Sequence, residues 1–258
     1  EGYSVEFNYP DTAIALGTFF SGTNSRMAFY TWSNATGFGT LYSNPVAIMS
    51  GGTSTPAIKF IGIANNRVFL QGSGGTGIHS YAWTDASGLG TKSANPSIGT
   101  GAGSGVDYNS DFGTPYVVAS RGATPYIRAW PFASTSFGTA WSNPATLPTS
   151  SGYTVKADRE GNGIIMAGGS ATGVIAYQST GSGFGTKYSD PVSFLGTGRG
   201  VAFDRLGDNV AISSTVSPYI FVILGVLVVL VLNLLILHHY QEVLLQYMEA
   251  QHLFVVFI

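Results

Sequence analysis

The chain has 258 residues, a formal net charge of −2 and only 9% charged residues. That length holds one all-β domain or two small ones, and the charge leaves no electrostatic footprint for nucleic acid. Cysteine is absent, which excludes a disulfide framework and a thiolate metal site.

Glycine, with 35 copies, takes the place of charge, as tight turns between short strands require. The chain begins at Glu1 without a basic segment followed by an apolar core. That start reads either as a removed leader or as a piece of a longer chain.

One segment recurs: Gly37-Phe-Gly-Thr-Leu-Tyr-Ser-Asn-Pro45, Gly88-Leu-Gly-Thr-Lys-Ser-Ala-Asn-Pro96, Ser136-Phe-Gly-Thr-Ala-Trp-Ser-Asn-Pro144 and Ser182-Gly-Phe-Gly-Thr-Lys-Tyr-Ser-Asp-Pro191. The Gly-Thr pairs begin at 39, 90, 138 and 185, a period of 47 to 51 residues. A fixed period of that size marks a propeller, solenoid or array.

Each repeat opens on an alternating run: Val5-Glu-Phe7, Ile58-Lys-Phe60, Val106-Asp-Tyr108, Val155-Lys-Ala157, Val201-Ala-Phe203. Period-two alternation predicts a strand. A turn rich in Asp, Asn and Gly follows. Then come a small-residue strand (Thr12 to Leu16, Arg67 to Leu70, Tyr116 to Ala119, Ile164 to Ala167, Val210 to Ser213) and a third strand with an aromatic near its end. The Phe-Gly-Thr segment is the fourth strand, closed by Asn-Pro or Asp-Pro because proline cannot donate to a ladder.

Four short antiparallel strands repeated radially predict an all-β fold: a β-propeller of five four-stranded blades. The expected blades are about 1–50, 51–99, 100–150, 151–195 and 196–222 plus a tail. Blade one begins with its inner strand, so any strand completing it from outside must come from the tail.

The first three strands resemble a WD40 repeat, without that family's Gly-His and Trp-Asp dipeptides. The Phe-Gly-Thr-x-Tyr-Ser-Asn-Pro wording more closely resembles repeats in large virion-associated proteins of tailed phages, over residues 1 to 222. The resemblance implies a structural or adhesion role on a virion or outside a cell, with other virion or surface proteins as partners.

Tyr219 to Leu237 is almost wholly apolar, and nineteen such residues are long enough to span a bilayer. One reading is a transmembrane helix anchoring an extracellular propeller, with the membrane as partner only through 219–237. The preferred reading is a fifth blade read out of frame. Gly-Thr-Lys-Ser-Ala-Asn-Pro, the wording of Gly90–Pro96, gives Val-Leu-Asn-Leu-Leu-Ile-Leu when suitable codons are read one base late. That is Val231–Leu237. This places a tyrosine slot at 223 and a glycine slot at 231, as Tyr177 precedes Gly185. Nucleotide sequence lacking a Gly-Thr-x-x-x-Asn-Pro in the other frame refutes the idea. Val228, Val229 and Val231 also allow a strand beside blade five.

Candidate chemistry is sparse. Gly72-Ser-Gly-Gly-Thr-Gly77 matches a dinucleotide fingerprint by letters, but a strand rather than a helix follows, so it reads as a hairpin loop and no cofactor is expected. Asp158, Glu160 and Asn162 stand like the start of a calcium loop, yet Gly169 occupies the place of its closing glutamate; turn chemistry is the simpler account. Asp107, Asn109 and Asp111 hold the corresponding turn of another blade. His79, His238, His239 and His252 predict no metal site. No Ser-His-Asp arrangement assembles, so the reading is a non-enzymatic binding module.

Aromatics recur twice per blade: Trp32, Trp83, Trp130 and Tyr177 at one point, Tyr42, Trp141 and Tyr188 at another. Packing between blades explains the first set. The second set, beside Lys92 and Lys187, is the candidate for a repeated ligand site, such as a glycan-binding face in each blade of a lectin.

Overall fold

A computed structural model describes residues 2–9, 11–18, 27–43, 57–61, 66–71, 77–96, 104–111, 113–168, 173–191, 196–217, 219–224 and 228–231. These residues form five four-stranded antiparallel sheets, each the blade of a β-propeller. The first holds β1 (Gly2–Phe7), β2 (Ala13–Thr18), β3 (Met27–Ser33) and β4 (Gly37–Leu41). The second holds β5 (Ala57–Ile61), β6 (Arg67–Gln71), β7 (Ile78–Thr84) and β8 (Gly88–Lys92). The third holds β9 (Val106–Asn109), β10 (Tyr116–Ser120), β11 (Ile127–Ala133) and β12 (Ser136–Phe137). The fourth holds β13 (Gly152–Ala157), β14 (Gly163–Gly168), β15 (Val174–Ser179) and β16 (Phe184–Lys187). The fifth holds β17 (Gly198–Phe203), β18 (Asn209–Ser214), β19 (Ile220–Leu224) and β20 (Val228–Val231).

Each sheet is a meander, and the inner strands pack in order: β1 on β5, β5 on β9, β9 on β13, β13 on β17. Both faces of an interior blade are covered. Its middle strands are therefore buried throughout, as in β6, β10 and β14, rather than alternating. Four apolar clusters fill the four junctions between consecutive blades.

The fourth strands follow the Phe-Gly-Thr segments, with one exception of length. β12 is only two residues long. Pro131 lies on the strand that β12 pairs with and has no N–H to offer, although its carbonyl still accepts from Gly138 N at 2.8 Å.

The start of the apolar run is sheet: β19 and β20 pair antiparallel. No helix among the described residues is long and apolar enough to cross a membrane. Ile223 faces Val210 as Tyr177 faces Ile164, so position 223 does occupy the blade's tyrosine place. The outer strand does not keep the repeat's spacing, however. Tyr177 faces Lys187, ten residues on, whereas Ile223 faces Val229, six residues on. Residues 232–258, with His238, His239 and His252, and the loop 72–76 lie outside the described residues.

Candidate functional site

Backbone hydrogen bonds give the alignment of the blades. The residues after the fourth strand are equivalent: Tyr42 N, Ser93 N, Trp141 N and Tyr188 N donate to the carbonyls of Phe29, Ser80, Ala129 and Ala176. Trp32 N, Trp83 N, Phe132 N and Ser179 N likewise donate to Thr12, Asn66, Pro115 and Asn162. The set Trp32, Trp83, Trp130 and Tyr177 therefore splits. Trp130 and Tyr177 match Tyr30 and Tyr81, two residues before Trp32 and Trp83. The hairpins differ in length by one residue between these blades, and the set drawn from sequence spacing is out of step by two residues.

The candidate ligand residues are not brought together, and they do not repeat as a surface. Trp141 is buried, with its ring 4.7 Å from Tyr116 and 5.5 Å from Phe184 of the next blade. Tyr42 is half-buried over Trp83 of blade two, and its hydroxyl donates to the Asp85 carbonyl at 2.8 Å. Blade two has Ser93 at this position. Lys92 is exposed on β8 opposite Tyr81, and partial burial lowers its pKa. Of these three rings only Tyr188, 42% exposed, belongs to the surface. Its hydroxyl donates to the Asn162 carbonyl at 3.3 Å, and neighbouring Lys187 pairs with Asp190 at 2.5 Å.

The difference lies in blade five. At the first and third junctions the aromatic after the fourth strand wedges onto aromatics of the next blade. Blade five has Ile223 in place of the tyrosine, and the junction cluster there is mainly aliphatic. A cleft of about 560 Å³ stands open between blades four and five. Ile164, Ile175, Val210, Ile212, Ile223 and Phe203 make its apolar wall. Asp158, Asn162, Tyr188, Ser189, Asp190 and Asp208 supply its polar groups.

Asp158 is committed to its turn. Its carboxylate accepts from Glu160 N and Asn162 N, both at 3.1 Å, which is how an aspartate stabilises such a loop. Asn109 of blade three donates to its carbonyl at 2.5 Å, and Asp111 pairs with Arg159 at 3.0 Å. These bonds tie adjacent blades through their turns. Among the described residues no group of three His, Asp or Glu side chains could hold a metal. Asp85 is a similar stitch that the sequence reading missed. Its carboxylate accepts from Asn8, Thr12 and Trp83 at 2.9, 2.9 and 2.8 Å.

A second missed feature runs around the axis. Glu6, Lys59, Asp107 and Lys156 occupy one position on successive inner strands and alternate in sign; Ala202 follows on blade five. Lys59 Nζ lies 3.2 Å from Glu6 and 3.3 Å from Asp107, and Lys156 Nζ lies 3.9 Å from Asp107. Burial pushes the Asp107 carboxyl up, but Lys59, Lys156 and the N–H groups of Ala157 and Tyr108 together hold it below its usual range. Asp107 likewise raises Lys59. The signal was in the middle residues of the alternating triplets, read only as strand marks.

His79 is buried on β7 against Tyr81, with rings stacked 6.3 Å apart. Burial first, then the charge of Lys92, lowers its pKa to about 4.

No protein-family model and no curated protein matches this sequence. Solved structures do match in fold. A Bacteroides fragilis protein provisionally named a 6-phosphogluconolactonase is similar with TM-score 0.60 and 12% identity, over 88% of this chain and 68% of that one. A Bacteroides uniformis protein of the same provisional name matches with TM-score 0.61 and 11% identity, over 85% and 66%. Kluyveromyces lactis Hsv2 matches with TM-score 0.52 and 12% identity, over 87% and 62%. The chain thus spans roughly two thirds of the length of each. At these identities the likeness defines a β-propeller and nothing finer. It also corrects the exclusion of an enzyme: two of these similar propellers carry an enzyme's name, so a sequence without a catalytic motif does not place this fold outside catalysis.

Proposed function

We propose that this chain is a binding β-propeller of the adhesion or virion-structural type, and that it takes its ligand in the cleft between blades four and five. The observation that supports this is the break in the repeat: Ile223 stands where blades one to four carry an aromatic, and the junction stays open beside the half-exposed Tyr188 ring. An apolar wall, one aromatic face and an acidic rim suit a neutral, hydroxyl-rich ligand such as a glycan. Its hydroxyls donate to Asp190 and Asp208, while its apolar face lies on Tyr188. This replaces a lectin with one site per blade by a propeller with one site, on a virion or outside a cell.

The test is a glycan array, followed by calorimetry with the wild type, Tyr188→Ala and Ile223→Trp. Binding that falls at least tenfold in both variants, with sheet content unchanged, supports the reading. An array without hits, or hits indifferent to both substitutions, refutes it. A second reading, turnover of a neutral sugar lactone in the same cleft, is motivated by the names of the similar propellers. A pH-stat assay decides it. The carboxylates of the rim weigh against a phosphorylated substrate.

A further inference from the structure

We infer that the outer faces of blades one and five are blade–blade interfaces, and that their occupant is about two further blades of this repeat, on the same polypeptide, completing the ring. The argument rests on equivalent residues. Val5 corresponds to Ile58, Val106, Val155 and Val201 on the other inner strands. Those four are 6, 4, 0 and 7% exposed, each covered by the blade before it, whereas Val5 is 50% exposed. Phe38 corresponds to Leu89, which is 8% exposed against 56% for Phe38. Phe7, Trp32, Phe38 and Tyr30 form an aromatic chain on this face with ring separations of 5.2 to 5.6 Å. Its chemistry matches the covered face of blade two, which buries Ile58, Phe60, Trp83 and Leu89.

The far face of blade five is the reciprocal half. Ala13, Ala15, Met27 and Phe29 of blade one are buried under blade two. Their counterparts Asn209, Ala211, Ile220 and Val222 are partly or fully exposed. Among the described residues, no packing comparable to that between consecutive inner strands joins β17 to β1. The similar solved propellers extend about a third beyond the matched region, which leaves room for about two blades of this size. A second copy adds five blades and overfills that gap. Blades on the same polypeptide fit it, and they bind at the high effective concentration that a short linker gives.

Trp32 supplies the readout. It is half-buried, whereas Trp83, Trp130 and Trp141 are buried, so acrylamide quenching of the native chain reports mainly on Trp32. A chain with residues 104–195 repeated ahead of Glu1 is compared with the native one. Quenching of Trp32 that falls severalfold and a higher urea midpoint, both reversed by Phe7→Asp with Phe38→Asp in the extended chain, support the inference. If the extended chain does not fold, residues 151–195 alone are added and the same readouts taken. A folded extension that leaves Trp32 as quenchable as before overturns it. So does a native chain that sediments as a dimer with Trp32 protected, because the occupant is then a second copy.

Discussion

Asp107 lies 3.3 Å from Lys59 on the neighbouring inner strand, and its carboxylate is also shared with Lys156 at 3.9 Å and the Ala157 N–H at 3.0 Å. One buried carboxylate therefore holds two lysines and a backbone donor across three blades. Asp107→Asn removes the carboxylate that Lys156 faces and leaves Lys59 with Glu6 alone, and costs about 3 kcal/mol. Urea denaturation measures it. Pairing the substitution with Lys59→Met recovers part of the loss, since the remaining charges are then fewer; a double variant as weak as the sum of the singles contradicts the shared-charge account.

His79 gives a pH dependence with a definite sign. Its pKa is about 4 in the folded chain and about 6.5 when unfolded. The unfolded state thus binds the extra proton between those values, and stability falls as pH drops from about 6.5 to about 4. Asp107 adds a second loss at lower pH, because its depressed carboxyl contributes stability only above its unfolded value. His79→Phe flattens the profile between pH 6.5 and 4 and leaves the lower limb. Thermal unfolding at half-unit pH steps shows it; an unchanged upper limb in the variant excludes His79 as the cause.

The five sheets were legible because a propeller repeats one hydrogen-bonding plan. Gly-Thr and Asn-Pro recur where the outer strand starts and stops, and alternation marks the inner strand. What decides a site was not legible in the same way. The ladder slips between Tyr30 and Trp32 and again between Tyr81 and Trp83, so a tryptophan two places on in sequence meets a different neighbour. The alternating charges of Glu6, Lys59, Asp107 and Lys156 were in plain view, but they meet only once the blades are set side by side. The cleft was hidden for the opposite reason. It is made by a missing aromatic at Ile223, within a run whose composition points first to a membrane.

Trp141 separates packing from recognition. Its indole is buried between blades three and four, and its Nε1 has no hydrogen-bond partner. Trp141→Phe removes that unsatisfied donor with most of the ring kept, and costs less than about 1.5 kcal/mol. Trp141→Ala leaves a cavity and costs about 3–5 kcal/mol. Neither changes ligand affinity at the blade four–five cleft. A Trp141→Phe variant of normal stability that loses binding places recognition at Trp141 instead.

Gly207 and Gly37 share a backbone conformation, with φ of +74° and +73°, but not the same surroundings. A Cβ on Gly37 meets nothing nearer than the Trp32 ring at 3.8 Å. A Cβ on Gly207 overlaps the Asp158 carboxylate, the group that already holds its own turn. Gly37→Ala therefore carries only the backbone strain of a left-handed residue, about 1 kcal/mol. Gly207→Ala adds a steric clash at the junction of blades four and five and costs at least about 2–3 kcal/mol. Gly207 and Asp158 both line the cleft and Gly37 does not, so the clash also moves its floor, and Gly207→Ala lowers ligand affinity while Gly37→Ala leaves it unchanged. Urea denaturation and calorimetry on the two variants check the pair; equal losses of stability show that the contact with Asp158 plays no part.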